Sequence, residues 1–148
     1  MRRITFLIAI SCIVLISSCV SYDVLKYSDI DSSEKTISMP PGGDRLVGQI
    51  KQYLIKKQWK ITVYSGPEVT EKSSENETLR YDKFNTRYNC FINFTTVDFY
   101  LDGDYQYRYD ITVVDNKTGQ EVFTLSGLGK GKDIVAKFAL LMENNYVE

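Results

Sequence analysis

The run Gly127-Leu128-Gly129-Lys130-Gly131-Lys132-Asp133 holds the residue types that cradle phosphate. Glycines free the backbone, lysines bring positive charge, and a helix start offers unpaired N–H groups to an anion. The spacing of a phosphate-binding loop is nevertheless not met, because Asp133 stands where Ser or Thr is required and would repel the ligand. The run is better read as a flexible strand-to-helix joint capped by Asp133. Asp98, Asp102 and Asp104 invite a calcium reading, but a helix-loop-helix calcium site needs further oxygen ligands at fixed spacing and a distal Glu. Turn chemistry accounts for them. The chain has no histidine, so the Ser-His-Asp and Cys-His arrangements and most zinc sites are closed to it. No cofactor, metal or catalytic residue is expected, and the reading is not an enzyme.

Tyr100, Tyr105, Tyr107 and Tyr109 form an aromatic strip. Tyrosine is a rigid, amphipathic contact residue common in interfaces, so Tyr100, Tyr105 and Tyr107 are the candidate partner-binding residues. The competing reading is core or sheet surface, since Tyr105, Tyr107 and Tyr109 share the parity of Ile111 and Val113. Cys90, between Asn89 and Phe91 in a strand pattern, reads as a small buried hydrophobe. Three Asn-x-Ser/Thr sequons, at Asn76, Asn93 and Asn116, read as chance, Asn93 falling inside a strand pattern.

The N-terminus carries the strongest signal. Arg2 and Arg3 precede an apolar run from Ile4 to Ile16, then Ser17, Ser18 and Cys19. That order is the order of a secretory signal peptide. Its core of about 13 residues falls short of the roughly 20 that cross a membrane. The segment Ile16-Ser17-Ser18-Cys19 resembles the lipobox of bacterial lipoproteins, with Ile16 in a place where Leu is usual. The resemblance implies cleavage before Cys19, a diacylglyceryl thioether on its sulfur and, as a rule, a third acyl chain on the new amino group. Several chains at about 0.8 kcal/mol per buried CH₂ make a stable anchor. An ordinary signal peptide with a coincidental cysteine and an uncleaved anchor are the alternatives. Val20 lacks the aspartate that resembles an inner-membrane retention signal, so the resemblance favours the outer membrane facing the periplasm in a Gram-negative cell; a Gram-positive source would place the protein outside its single membrane. With the leader and its two arginines gone, the formal charge is about −3, which gives no basic footprint for nucleic acid.

These residues need elements to hold them. Residues 1–18 are read as the leader, 19–34 as a lipid-anchored tether and 35–148 as one small domain. Residues 20–34 are polar and without steady period, and about 15 extended residues would reach about 50 Å. A strand is expected from Lys35 to Met39, stopped by Pro40-Pro41-Gly42-Gly43. A helix over 44–58, capped by Asp44, carries Leu46, Val47, Ile50, Tyr53 and Leu54 as one stripe. A parallel strand over Trp59–Tyr64 closes a βαβ unit. Residues 66–86 are polar and read as a loop longer than usual. Tyr88–Tyr100 is a strand whose apolar parity changes, which calls for a bulge near Thr95-Thr96. Tyr105–Val113 alternates cleanly. Asp115–Gly119 turns the chain, Glu121–Leu125 returns as partner strand, and a last helix carries Ile134, Val135, Phe138, Leu141 and Met142.

The expected fold class is α+β: a single mixed sheet of about five strands in the order β-α-β-β-β-β-α, with two helices on one face. Over residues 35–144 this element order resembles small accessory lipoproteins of the envelope, such as penicillin-binding-protein activators. The functional expectation is a membrane-anchored envelope lipoprotein, a non-enzymatic accessory or scaffold that binds an envelope protein partner. The alternatives are a lipoprotein that binds a small lipid or glycan, and an enzyme of unstated type.

Overall fold

Alternation of apolar and polar residues along Tyr105–Asp115 produces the central strand, and the rest of the molecule is arranged by what its buried side needs. The computed structural model describes residues 22–43, 45–64, 85–101 and 103–146. The elements are β1 (Tyr22–Lys26), β2 (Thr36–Met39), α1 (Arg45–Lys56), β3 (Lys60–Val63), β4 (Tyr88–Phe99), β5 (Tyr105–Asp115), β6 (Gln120–Lys130) and α2 (Gly131–Met142). They form one mixed sheet in the order β1-β6-β5-β4-β2-β3. The pairs β1/β6, β6/β5 and β5/β4 are antiparallel, while β4/β2 and β2/β3 are parallel. The class is α+β as expected.

One side of the sheet is apolar and carries the helices. Cys90, Tyr107, Tyr109, Ile111, Val113, Phe123 and Leu125 point there and are buried. The helix α1 meets them with Leu46, Ile50 and Leu54, and α2 with Ile134, Phe138 and Leu141. The two helices touch through Tyr53 and Phe138, whose rings meet edge to face at 6.1 Å, a favoured aromatic geometry. The opposite side of β5 and β6 is mostly polar, with Thr112 and Thr124 hydroxyls 3.1 Å apart across the pair.

Several expectations need correction. Among the described residues the sheet has six strands rather than about five. The added strand, β1, comes from the stretch read as a tether. Tyr22 and Val24 face the helix side, Val24 packs on the core, and the five residues pair along β6 from Phe123 to Gly127. The stretch after it is tied down as well: Asn144 accepts from the Ile30 N–H at 2.8 Å and donates to the Ile30 carbonyl at 2.9 Å. The strand β6 runs on to Lys130 instead of ending at Leu125. Its glycines 127 and 129 lie opposite Tyr109 and Tyr107, so positions read as a joint are strand positions without side chains beside large rings. The bulge falls between Thr96 and Asp98, slightly later than expected, and returns Phe99 to the side of its partner Tyr105. Asp133 is not the cap of α2. The helix begins at Gly131, Lys130 is its cap residue without a side-chain cap bond, and Asp133 lies in the first turn, where a carboxylate favours the positive end of the helix dipole. The expected cap Asp44, most of the loop 66–86 and Cys19 lie outside the described residues.

Candidate functional site

The tyrosines singled out in the sequence gather where β4, β5 and β6 extend beyond the other strands. Strands β4 and β5 form a hairpin whose turn is closed by the Tyr100 N–H donating to the Asp104 carbonyl at 2.8 Å and the Gly103 N–H donating to the Tyr100 carbonyl at 3.0 Å. Gly103 takes φ +84, a left-handed conformation that glycine adopts without penalty. Two of the aspartates singled out in the sequence are engaged by the backbone, and the third, Asp102, lies outside the described residues. Asp98 accepts from the Phe99 N–H at 2.8 Å, and Asp104 accepts from the Tyr105 N–H at 2.9 Å and from the Lys132 N–H at 3.3 Å. Asp104 thus supplies, from the hairpin, an acceptor to the first turn of α2. Among the described residues no three Cys, Asp or Glu side chains are grouped as metal ligands.

The three candidate tyrosines part company here. Tyr107 is fully buried, with Phe94 edge-on at 5.5 Å; it is a core residue and cannot meet a partner, which corrects that part of the expectation. Tyr105 is half-buried, stacked obliquely on Phe99 at 5.0 Å, with the Arg45 guanidinium 5.9 Å from its ring centre. Tyr100 is half-buried too, and the Lys130 ammonium lies 3.9 Å from its ring centre. Cations over aromatic faces are attracted by the ring quadrupole. Beside them Gln49, Gly103, Asp104 and Lys132 line a shallow depression of about 320 Å³.

Sequence reasoning missed what surrounds the tyrosines. Val97 is 51% exposed, Phe99 56%, and Leu101 completely exposed at the tip. The signal was present: Val97 and Phe99 break the parity of their strand, and Leu101 is an apolar residue in a turn. The expected bulge would bring Val97 and Phe99 onto the apolar face; Phe99 does reach the side of Tyr105, yet both residues stay about half exposed. The resulting end of the molecule is an apolar and aromatic tip flanked by Arg45, Lys130 and Lys132, suited to non-covalent contact with an amphipathic surface.

Cys90 is fully buried, and burial pushes its thiol up to about 12. A thiol held protonated is neither nucleophile nor metal ligand at neutral pH, in keeping with the packing role expected of it. No helix among the described residues is long and apolar enough to cross a membrane.

The sequence matches no protein-family model, and no curated protein is similar to it. Among solved structures the chain is similar to a leucine-to-methionine variant of the PelC dodecamer from Paraburkholderia phytofirmans, with a TM-score of 0.51 at 8% identity, covering 86% of this chain and 99% of that one. A second PelC dodecamer structure from the same organism gives a TM-score of 0.46 at 9% identity, over 79% of this chain and 94% of that one. At such identity the first likeness is one of fold.

Proposed function

We propose that the protein is a bacterial envelope lipoprotein, held to a membrane by lipid on Cys19, whose domain is a non-enzymatic scaffold for an envelope protein partner. The observation that carries the reading is the order Arg2-Arg3, apolar run, Ile16-Ser17-Ser18-Cys19, which is that of a lipoprotein leader. The outer membrane facing the periplasm is the proposed address in a Gram-negative host. The domain offers a partner two edge strands, β1 and β3, and edge strands carry unpaired backbone groups that accept an added strand. It also offers Tyr100 and Tyr105 beside the depression at Gln49, Asp104 and Lys132.

Two measurements test this. Mass spectrometry of the N-terminal peptide of the native protein is expected to give a lipidated Cys19; a bare thiol, or a chain starting elsewhere, rejects the anchor. Crosslinking in cells at native expression is expected to capture one discrete partner, lost when the domain is removed but the leader and Cys19 are kept. A second reading is assembly with copies of itself, favoured by the fold likeness to a protein crystallised as a dodecamer. Light scattering of the detergent-solubilised protein separates the two: a closed ring gives a single large mass without any other polypeptide.

A further inference from the structure

The chain enters the fold at the end of the sheet that carries the hairpin tip. In the sheet, Tyr22 of β1 stands level with Gly127 of β6, Tyr109 of β5 and Phe94 of β4. From that row β1 runs away from the tip, since Lys26 pairs with Phe123, and β5 runs back toward it, ending at Tyr105 opposite Phe99. The tip therefore stands four residues of β5 beyond the start of β1, about 13 Å at strand rise. Only Cys19, Val20 and Ser21 precede Tyr22 in the mature chain, and three residues span at most about 11 Å. Extended toward the tip, three residues would bring a lipid on Cys19 to nearly the plane of the tip side chains. The long tether expected from the sequence does not exist as such, because β1 takes up its first half.

We infer that the β4–β5 hairpin tip is a second membrane contact, resting Phe99, Tyr100 and Leu101 in the headgroup region of the same bilayer that holds the Cys19 lipid, with the strands standing along the membrane normal. The inference rests on the reading of Cys19 as lipidated. Leu101 is completely exposed and Phe99 and Val97 about half exposed, so the tip presents apolar surface that the domain itself leaves in water. Tyr100 and Tyr105 add amphipathic rings of the kind enriched at membrane interfaces. The polar surroundings fit headgroups. Arg45 and Lys130 stand over the tyrosine rings, Lys132 lies alongside, and both helices begin at this end, which turns the positive ends of their dipoles toward phosphates. Asp98 and Asp104 lie at the same end with their carboxylates engaged by backbone N–H groups. The charges nearly balance, so the contact is driven by apolar burial, which is weakly sensitive to salt.

The experiment uses the full lipidated chain in vesicles of phosphatidylethanolamine and phosphatidylglycerol. Leu101→Cys is labelled with an environment-sensitive fluorophore, and Thr118→Cys, in the turn at the opposite end, is labelled as the control. The native Cys90 is buried and stays unlabelled. Doxyl-labelled lipid is expected to remove most of the emission from position 101 and little from position 118, in low and high salt alike. Equal emission loss at the two positions, or none at either, overturns the contact. The N-terminal peptide mass from the same sample separates the two ideas. A lipidated Cys19 with an unquenched position 101 leaves the anchor standing and removes the tip contact; a bare Cys19 removes both.

Discussion

Asn144 shows how much one side chain can decide. It follows α2 with φ +57, a left-handed position in which Asn is among the few residues tolerated besides glycine. From there its amide both donates to and accepts from the backbone of Ile30, which is itself buried. A carboxamide does both at once without carrying charge. Asn144→Asp keeps the shape and the backbone preference but sets a carboxylate against the Ile30 carbonyl. Asn144→Gly keeps the backbone and loses both bonds. We expect each to destabilise the protein by about 1–3 kcal/mol, the usual cost of leaving part-buried backbone groups without partners, with Asp worse than Gly above the carboxylate pKa and closer to it in acid. Urea unfolding at two pH values checks this; Asp and Gly variants equal to the native protein would mean that water replaces the clamp without loss. Nothing in the sequence marked Asn144, because its partner is 114 residues away.

At the scale of elements, β1 is the part that decides where the domain sits relative to its anchor. It is five residues long, at an edge, with Tyr22 and Leu25 about half exposed and Val24 as its contribution to the core. Such a strand opens at lower free energy than the β4–β6 centre. Val24→Asp puts a charge on the core side and is expected to detach it. Hydrogen exchange is then expected to quicken at residues 22–26 and at the amides of β6 that face them, with β4 and β5 unchanged; uniform quickening would show instead that β1 is integral to global stability. This element was also the hardest to read. The helix α1 and strand β5 were legible because each sustains its period over many residues; of the predicted stripe, Leu46, Val47, Ile50 and Leu54 are buried and Tyr53 is partly buried against the core. In β1 the alternation of Tyr22, Asp23 and Val24 breaks at Leu25, and five residues give too few repeats to tell a strand from a linker. The extension of β6 was hidden for another reason: Gly127 and Gly129 read as breakers until the rings of Tyr109 and Tyr107 are placed opposite them. The candidate site was legible as a tyrosine strip, but parity alone could not separate Tyr107 in the core from Tyr105 at the surface.

For the whole molecule, the side of the sheet covered by helices holds ionisable groups that are kept neutral. Burial pushes the Cys90 thiol up to about 12 from an ordinary 9.0, and burial, reinforced by nearby Tyr22, pushes the Tyr109 phenol up to about 12 from 10.0. Burial likewise raises the Tyr53 and Tyr88 phenols. In each case the folded protein holds a proton that the unfolded chain gives up sooner. The stability these groups contribute is therefore complete below about pH 9, and it is lost as pH rises through the window from 9–10 toward 12. Within that window each group that is ionised only when unfolded steepens the loss by about 1.4 kcal/mol per pH unit. The expected outcome is a cooperative alkaline unfolding, followed by tyrosinate absorbance rising together with loss of helix. Tyr109→Phe retains the ring and removes the ionisation, so its stability should fall less steeply than that of the native protein between about pH 10 and 12, even if the variant starts lower at neutral pH. Parallel slopes for the two proteins would mean that Tyr109 titrates as freely in the fold as in the unfolded chain. The packing of α1 and α2 over the sheet would then be looser than the burial of Tyr109 requires.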